Sequence, residues 1–131
     1  MNVSFLKNAL ETLGEALHAL DQDPENLFIR DSVIQRFEYS YELSFKSLKR
    51  HLEFMSQSPE EIDRMSFNEI IRLANEKNLL SGDLEEWDVH RKARNSTSHT
   101  YNQDVANSVI QVARKFYGEA LFLLSKISPR Q

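Results

Sequence analysis

Leu6, Leu10, Leu13, Leu17 and Leu20 recur at steps of four and three, and far down the chain Val105, Val109, Val112, Phe116, Ala120, Leu123 and Ile127 repeat the same steps. That rhythm paints one stripe along an α-helix and cannot line one face of a strand, whose side chains alternate every second residue. It predicts a first helix over Ser4 to Leu20 and a last one over Gln103 to Ile127. Between them, Val33, Phe37, Tyr41, Leu48 and Leu52 hold a third stripe, widened by Ile34 and Phe45. They predict a helix from Leu27 to Met55, about 40 Å long at 1.5 Å per residue and fit to be the spine of a bundle. Only three Gly and three Pro interrupt the 131 residues, too few for a loop-rich or all-β protein of this length. The expected architecture is all-α, an up-and-down bundle of about five helices forming one domain over residues 1–131.

Local signals mark the remaining boundaries. Asp21-Gln22-Asp23-Pro24 stops the first helix, because proline cannot continue it. Ser58-Pro59-Glu60-Glu61 reads as an N-cap, a proline at the first helical position and a capping glutamate. Ser66-Phe67-Asn68-Glu69 repeats the box, so a short turn and then a helix over about Phe67 to Lys77 are expected, followed by a helix starting near Asp83. The last helix carries a second apolar line, Ile110, Tyr117, Leu121 and Leu124, as expected of a helix central to the bundle or shared with another chain.

Chemistry is bounded by what is missing. Without cysteine there is no disulfide, thiolate nucleophile or zinc ribbon. The start of the sequence lacks the basic and apolar regions of a signal peptide, and no stretch reaches the roughly 20 apolar residues of a membrane span. A cytoplasmic protein with no membrane association is the expectation. A net charge of −4 gives no general field for a polyanion, leaving His90, Arg91, Lys92 and Arg94 as the one local basic cluster.

One polar segment stands out: Arg94-Asn95-Ser96-Thr97-Ser98-His99-Thr100-Tyr101. On a continuous helix Arg94 and His99 would diverge by about 140°. The short polar residues between them compete for backbone groups and are poor in mid-helix. The helix should therefore end here, with Thr100-x-x-Gln103 opening the next one, and the break lets both side chains address one anion. Arginine offers a planar fork matched to phosphate, histidine moves protons near neutrality, and Tyr101 adds a hydroxyl. Together they are a minimal kit for metal-independent RNA cleavage, in which a ribose 2′-OH attacks the adjacent phosphorus. The plain alternative is a structural ion pair of Arg94 with Glu85, Glu86 or Asp88.

Other candidates carry less. Glu38 and Glu42, one turn apart, suit acid–base work or a divalent ion, but Lys46 follows in the order that favours a Glu42–Lys46 surface pair. His18 and His51 stand alone. By residue type Phe37, Tyr39, Tyr41 and Trp87 suit a core or interface better than a stacking platform.

Phe37-Glu38-x-x-Tyr41-Glu42-Leu43-x-x-Lys46, then Trp87, then Arg94-Asn95-x-x-Ser98-His99-Thr100-Tyr101 resembles the nucleotidyltransferase substrate-binding protein family of the HEPN superfamily. The likeness spans nearly the whole chain; Ser66-Phe67 departs from the family's frequent Ser-Pro. It implies a homodimer, and a heterotetramer with a separately encoded minimal nucleotidyltransferase that brings ATP and Mg, with no cofactor in this chain. In related HEPN toxins the Arg-x4-His-x-Tyr motif is a ribonuclease site built across the dimer interface, and the partner acts as antitoxin by adding AMP to the tyrosine. By position, the resemblance implies Arg94 at the phosphate, His99 as acid–base, Tyr101 as AMP acceptor, and Asn95 and Ser98 in support. An older reading of the family implies a non-catalytic subunit binding substrate or nucleotide in a groove, for which Glu38, Tyr41, Glu42, Lys46, Trp87 and Arg91 are candidates. A third possibility is an interaction module whose last helix scaffolds an oligomer.

Overall fold

The computed structural model describes residues 2–129, and among them every regular element is helical. The order is α1 (Ser4–Gln22), α2 (Leu27–Met55), α3 (Pro59–Asp63), α4 (Phe67–Glu76), α5 (Leu84–Asn95), a 3-10 turn (Thr97–His99) and α6 (Gln103–Ile127). The expected stripes are the buried faces: Leu6, Leu10, Leu13, Leu17 and Leu20 on α1, and Val109, Phe116, Ala120, Leu123 and Ile127 on α6. Val105 and Val112 stay half-buried at the edge of the α6 stripe.

The boundaries follow local chemistry with three departures. Helix α1 runs on to Gln22, because the Asp23 N–H still reaches the carbonyls of Ala19 and Leu20 at 3.1 and 3.2 Å. The short turn after Ser58 is a helix of its own, α3, with Pro59 in its first turn, but the Ser58 side chain makes no capping bond. Helix α6 is capped not by Thr100 but by Asn102, whose Oδ1 accepts from the N–H groups of Asp104 and Val105 at 2.9 and 3.2 Å. Asparagine ranks above threonine as a cap, and Thr100 Oγ1 is occupied by the Thr97 carbonyl at 3.2 Å. The Ser66–Glu69 box forms both ways, and Asp83–Glu86 forms a second one at the start of α5.

Helices α2, α5 and α6 meet on a cluster of rings. Phe116 of α6 stands edge-on to Phe37 of α2 at 5.3 Å and to Trp87 of α5 at 6.0 Å, and Tyr41 lies 6.0 Å away. Offset and edge-on ring pairs add roughly 0.5–1.5 kcal/mol each beyond burial. Within this apolar knot sits one polar pair, His90 of α5 with its Nε2–H donating to Glu119 of α6. Gly82 makes room for it, since a Cβ at that position would overlap the Glu119 carboxylate. Gly14 likewise lets α1 pass beneath the Tyr117 hydroxyl of α6.

His90 and Glu119 have little access to water, so removing one leaves the other unsatisfied. Glu119→Ala should lower the unfolding free energy by about 3 kcal/mol in urea titration, and replacing both residues with apolar ones (His90→Phe with Glu119→Met) should recover most of it. Equal loss in the single and double variants would show that the polar pair itself, rather than an unsatisfied partner left behind, carries the stability.

Candidate functional site

The segment Arg94–Tyr101 links α5 to α6, and the helix breaks where its short polar residues cluster. Helix α5 ends at Asn95; Ser96 N–H still reaches the Lys92 and Ala93 carbonyls at 3.1 and 3.0 Å, and one 3-10 turn follows. Ser96 Oγ donates back to the Lys92 carbonyl at 3.0 Å, and the one Thr97 hydroxyl hydrogen is shared between the Arg94 carbonyl and Glu38 Oε2, each 2.8 Å away. These side chains satisfy the end of α5, whereas Asn95 and Ser98 lie exposed.

The turn separates two groups. Arg94, in the last turn of α5, reaches across to α2, where its Nη2 donates to Glu42 and stands 3.9 Å from Glu38. Thr97 Oγ1 lies 2.8 Å from Glu38 Oε2 and closes the cluster. The guanidinium fills the space between the two carboxylates, so this donor set suits a fixed cationic side chain rather than a metal ion. Glu42 therefore pairs with Arg94, not with Lys46, and Arg94 pairs across the fold, not with Glu85, Glu86 or Asp88. At the end of the turn and just past it, His99 and Tyr101 stand ring edge to ring face at 6.2 Å, with Tyr101 87% exposed. Among the described residues no hydrogen bond joins Arg94 to His99.

Several sequence candidates sit elsewhere. Trp87 is 0% exposed and Tyr41 7%, so both rings belong to the core and neither lines a groove. Burial pushes the Tyr41 hydroxyl up to about 12, although Arg91 and Arg94 nearby pull it the other way. Arg91 lies 4.4 Å over the Phe67 ring and donates to Asp88 at 2.7 Å, while Lys92 holds the other Asp88 oxygen at 2.9 Å. The hydrogen bonds from Lys92 and Arg91 keep the Asp88 carboxyl below its usual range. With His90 buried at 2% exposure as well, the basic cluster expected from the sequence is largely neutralised within the fold. Lys46 is exposed on α2. Thr97 as a bridge and the His90–Glu119 pair escaped sequence reasoning, because their partners lie 59 and 29 residues away and no local pattern announces them.

Directly beside the turn, α5 and α6 leave an open apolar recess of about 410 Å³, floored by Ala93 and Val109 and rimmed by Val89, Ser96, Val105 and Val112. Val89 is 48% exposed there.

The model of the family described as nucleotidyltransferase substrate binding protein like matches residues 1–128. The chain belongs to that family. It is 33% identical to a probable ribonuclease HepT of Haemophilus influenzae, over 99% of this chain and 94% of that protein. Its fold superposes with a TM-score of 0.89 on HI0074 of Haemophilus influenzae, described as the fold of a substrate binding domain of a nucleotidyltransferase. The two are 31% identical over 98% of this chain and 100% of HI0074. A Thermus thermophilus protein follows at a TM-score of 0.74 and 29% identity, covering 95% of this chain and 99% of that one. No helix of this family member is long and apolar enough to cross a membrane among the described residues.

The raised Tyr41 pKa sets a pH dependence. Above pH 10 the unfolded chain releases this proton while the folded one keeps it, so the stability it confers is complete below pH 10 and is lost up to about pH 12. Tyr41→Phe should flatten that part of the stability–pH curve in urea unfolding between pH 10 and about pH 12, whereas an unchanged slope would place the ionisation elsewhere.

Proposed function

We propose that this protein is a metal-independent endoribonuclease that works as a homodimer and is restrained by a minimal nucleotidyltransferase partner. The observation that carries the reading is the arrangement of the polar segment. An arginine is held in place by two carboxylates, an exposed histidine–tyrosine pair follows after a 3-10 turn, and an apolar recess opens beside them. Within one chain no hydrogen bond joins Arg94 to His99, and a second copy seated in the α5–α6 recess would bring two such segments face to face. The relative named as a probable ribonuclease supports the same activity.

In this mechanism Arg94 engages a non-bridging phosphate oxygen of RNA, with Glu42 and Glu38 orienting its fork. His99 of one copy takes the proton from the ribose 2′-OH, whose oxygen attacks the adjacent phosphorus. The bond from phosphorus to the 5′ oxygen breaks, and His99 of the other copy protonates that leaving oxygen. The products are a 2′,3′-cyclic phosphate and a free 5′-hydroxyl. Restraint acts at Tyr101. Its phenol oxygen attacks the α-phosphorus of ATP held by the partner with Mg, pyrophosphate leaves, and the bulky, anionic AMP beside His99 blocks RNA entry.

The second reading, a non-catalytic subunit that binds nucleotide for its partner, is favoured by the description of HI0074 as a substrate binding domain. Cleavage separates the two. Purified protein in EDTA should cut RNA, His99→Ala should slow it by roughly 10²–10⁴-fold, and Arg94→Ala should do likewise. Intact RNA with wild type, or equal cutting by the His99 variant, would leave the binding reading in possession. Sedimentation should give a dimer that Val89→Asp converts to monomer with loss of cutting. After co-expression with a minimal nucleotidyltransferase, intact mass should rise by AMP in wild type and not in Tyr101→Phe.

A further inference from the structure

Residues 38, 42, 46 and 50 lie on one strip of α2, at successive steps of four. The strip reads Glu, Glu, Lys, Arg. Arg94 closes its acidic half, and the basic half is open: among the described residues neither Lys46 nor Arg50 has a carboxylate within 4.0 Å. Both are exposed, yet they do not simply point into solvent. With Ser47 and Leu43 they line a recess of about 190 Å³ whose opposite wall is the start of α1, including Phe5. Phe5 is 75% exposed, and Phe28 and Phe54 are likewise exposed elsewhere on the surface, but Phe5 differs from them in lining a recess with two cations; no acidic residue stands in the first turn of α1. At 1.5 Å per residue, Lys46 and Arg50 lie about 6 and 12 Å along the helix from Glu42, where Arg94 is anchored.

Two unpaired cations beside an exposed aromatic ring match single-stranded nucleic acid, whose backbone is anionic and whose bases each present a flat face. We propose that this recess is a second nucleotide subsite. In it Lys46 and Arg50 hold backbone phosphates of an RNA strand running along α2 from Arg94, and Phe5 stacks on a base. The inference rests on the ribonuclease reading and adds to it the direction of the bound strand and a preference for unpaired RNA, since a duplex would keep its bases from Phe5. It also accounts for RNA binding by an acidic protein: the charge that matters is confined to one strip.

Fluorescence anisotropy with a labelled single-stranded RNA carrying 2′-O-methyl riboses, which cannot be cut, tests the subsite apart from catalysis. Phe5→Ala should weaken binding roughly tenfold without changing its salt dependence. The double variant Lys46→Gln, Arg50→Gln should weaken it similarly and, with two phosphate contacts removed at about 0.7 each, reduce the slope of log affinity against log salt by about 1.4. All three side chains are exposed, so thermal melting should stay at the wild-type midpoint. Wild-type affinity and slope in the variants would overturn the subsite, as would no binding by the wild type. RNA affinity that survives while affinity for the nucleotidyltransferase partner falls would overturn it in favour of protein docking. Binding of the blocked RNA without cleavage of its 2′-hydroxyl counterpart would remove the ribonuclease reading and leave the subsite standing.

Discussion

Phe116 sits where α2, α5 and α6 converge, and the remainder of the site depends on that packing. Its ring meets Phe37, Tyr41, Trp87 and His90 at centroid distances of 5.3 to 6.0 Å, so α5 cannot rotate or slide without opening contacts to both neighbours. Interiors at crystal-like density do not deform continuously, which makes the orientation of α5 a discrete property of the core. One turn past His90 and two past Trp87 on the same helix comes Arg94. The core thus aims the guanidinium at Glu38 and Glu42 on α2.

The Arg94 cluster in turn shapes what a ligand meets. A partly exposed arginine alone would be a mobile cation, and two carboxylates one turn apart would repel an anion. Joined, they orient the guanidinium fork and reduce the local negative field. Thr97 ties the cluster to the turn that follows, so His99 and Tyr101 start from a defined position although they face water. A rigid base with exposed reactive groups suits a site that is completed by another molecule.

Charge follows the same logic of local arrangement. The chain is acidic overall, and its densest basic stretch is spent on Asp88, Phe67 and Glu119. The fold leaves the Lys46–Arg50 end of the α2 strip without a carboxylate partner, as it does Lys7, Arg64, Arg72, Lys77, Lys115 and Lys126 elsewhere among the described residues. Net charge and sequence clusters are therefore poor guides to which cations stay unpaired, because neither records which carboxylates fold back onto which cations.

The sequence by itself determined the helices, most of their ends and their buried faces. These depend on spacings of three and four and on caps within a few residues, as at Ser66–Glu69 and Asp83–Glu86. It also marked the break after Arg94, since Asn95-Ser96-Thr97-Ser98 disfavours helix on local grounds. The family motif was legible too, because it is a short string. The core placement of Trp87 and Tyr41 is already expected from residue type, whereas tertiary structure alone decided that Arg94 binds Glu42 across 52 residues, that Thr97 lies against Glu38 and that His90 is buried on Glu119. Each of these turns on how helices rotate and pack against one another, a collective outcome of the whole core that no local spacing encodes. The polar segment Arg94–Tyr101 could be recognised in the chain; the division of its side chains between a carboxylate anchor on α2 and an exposed pair beside the α5–α6 recess was set by packing.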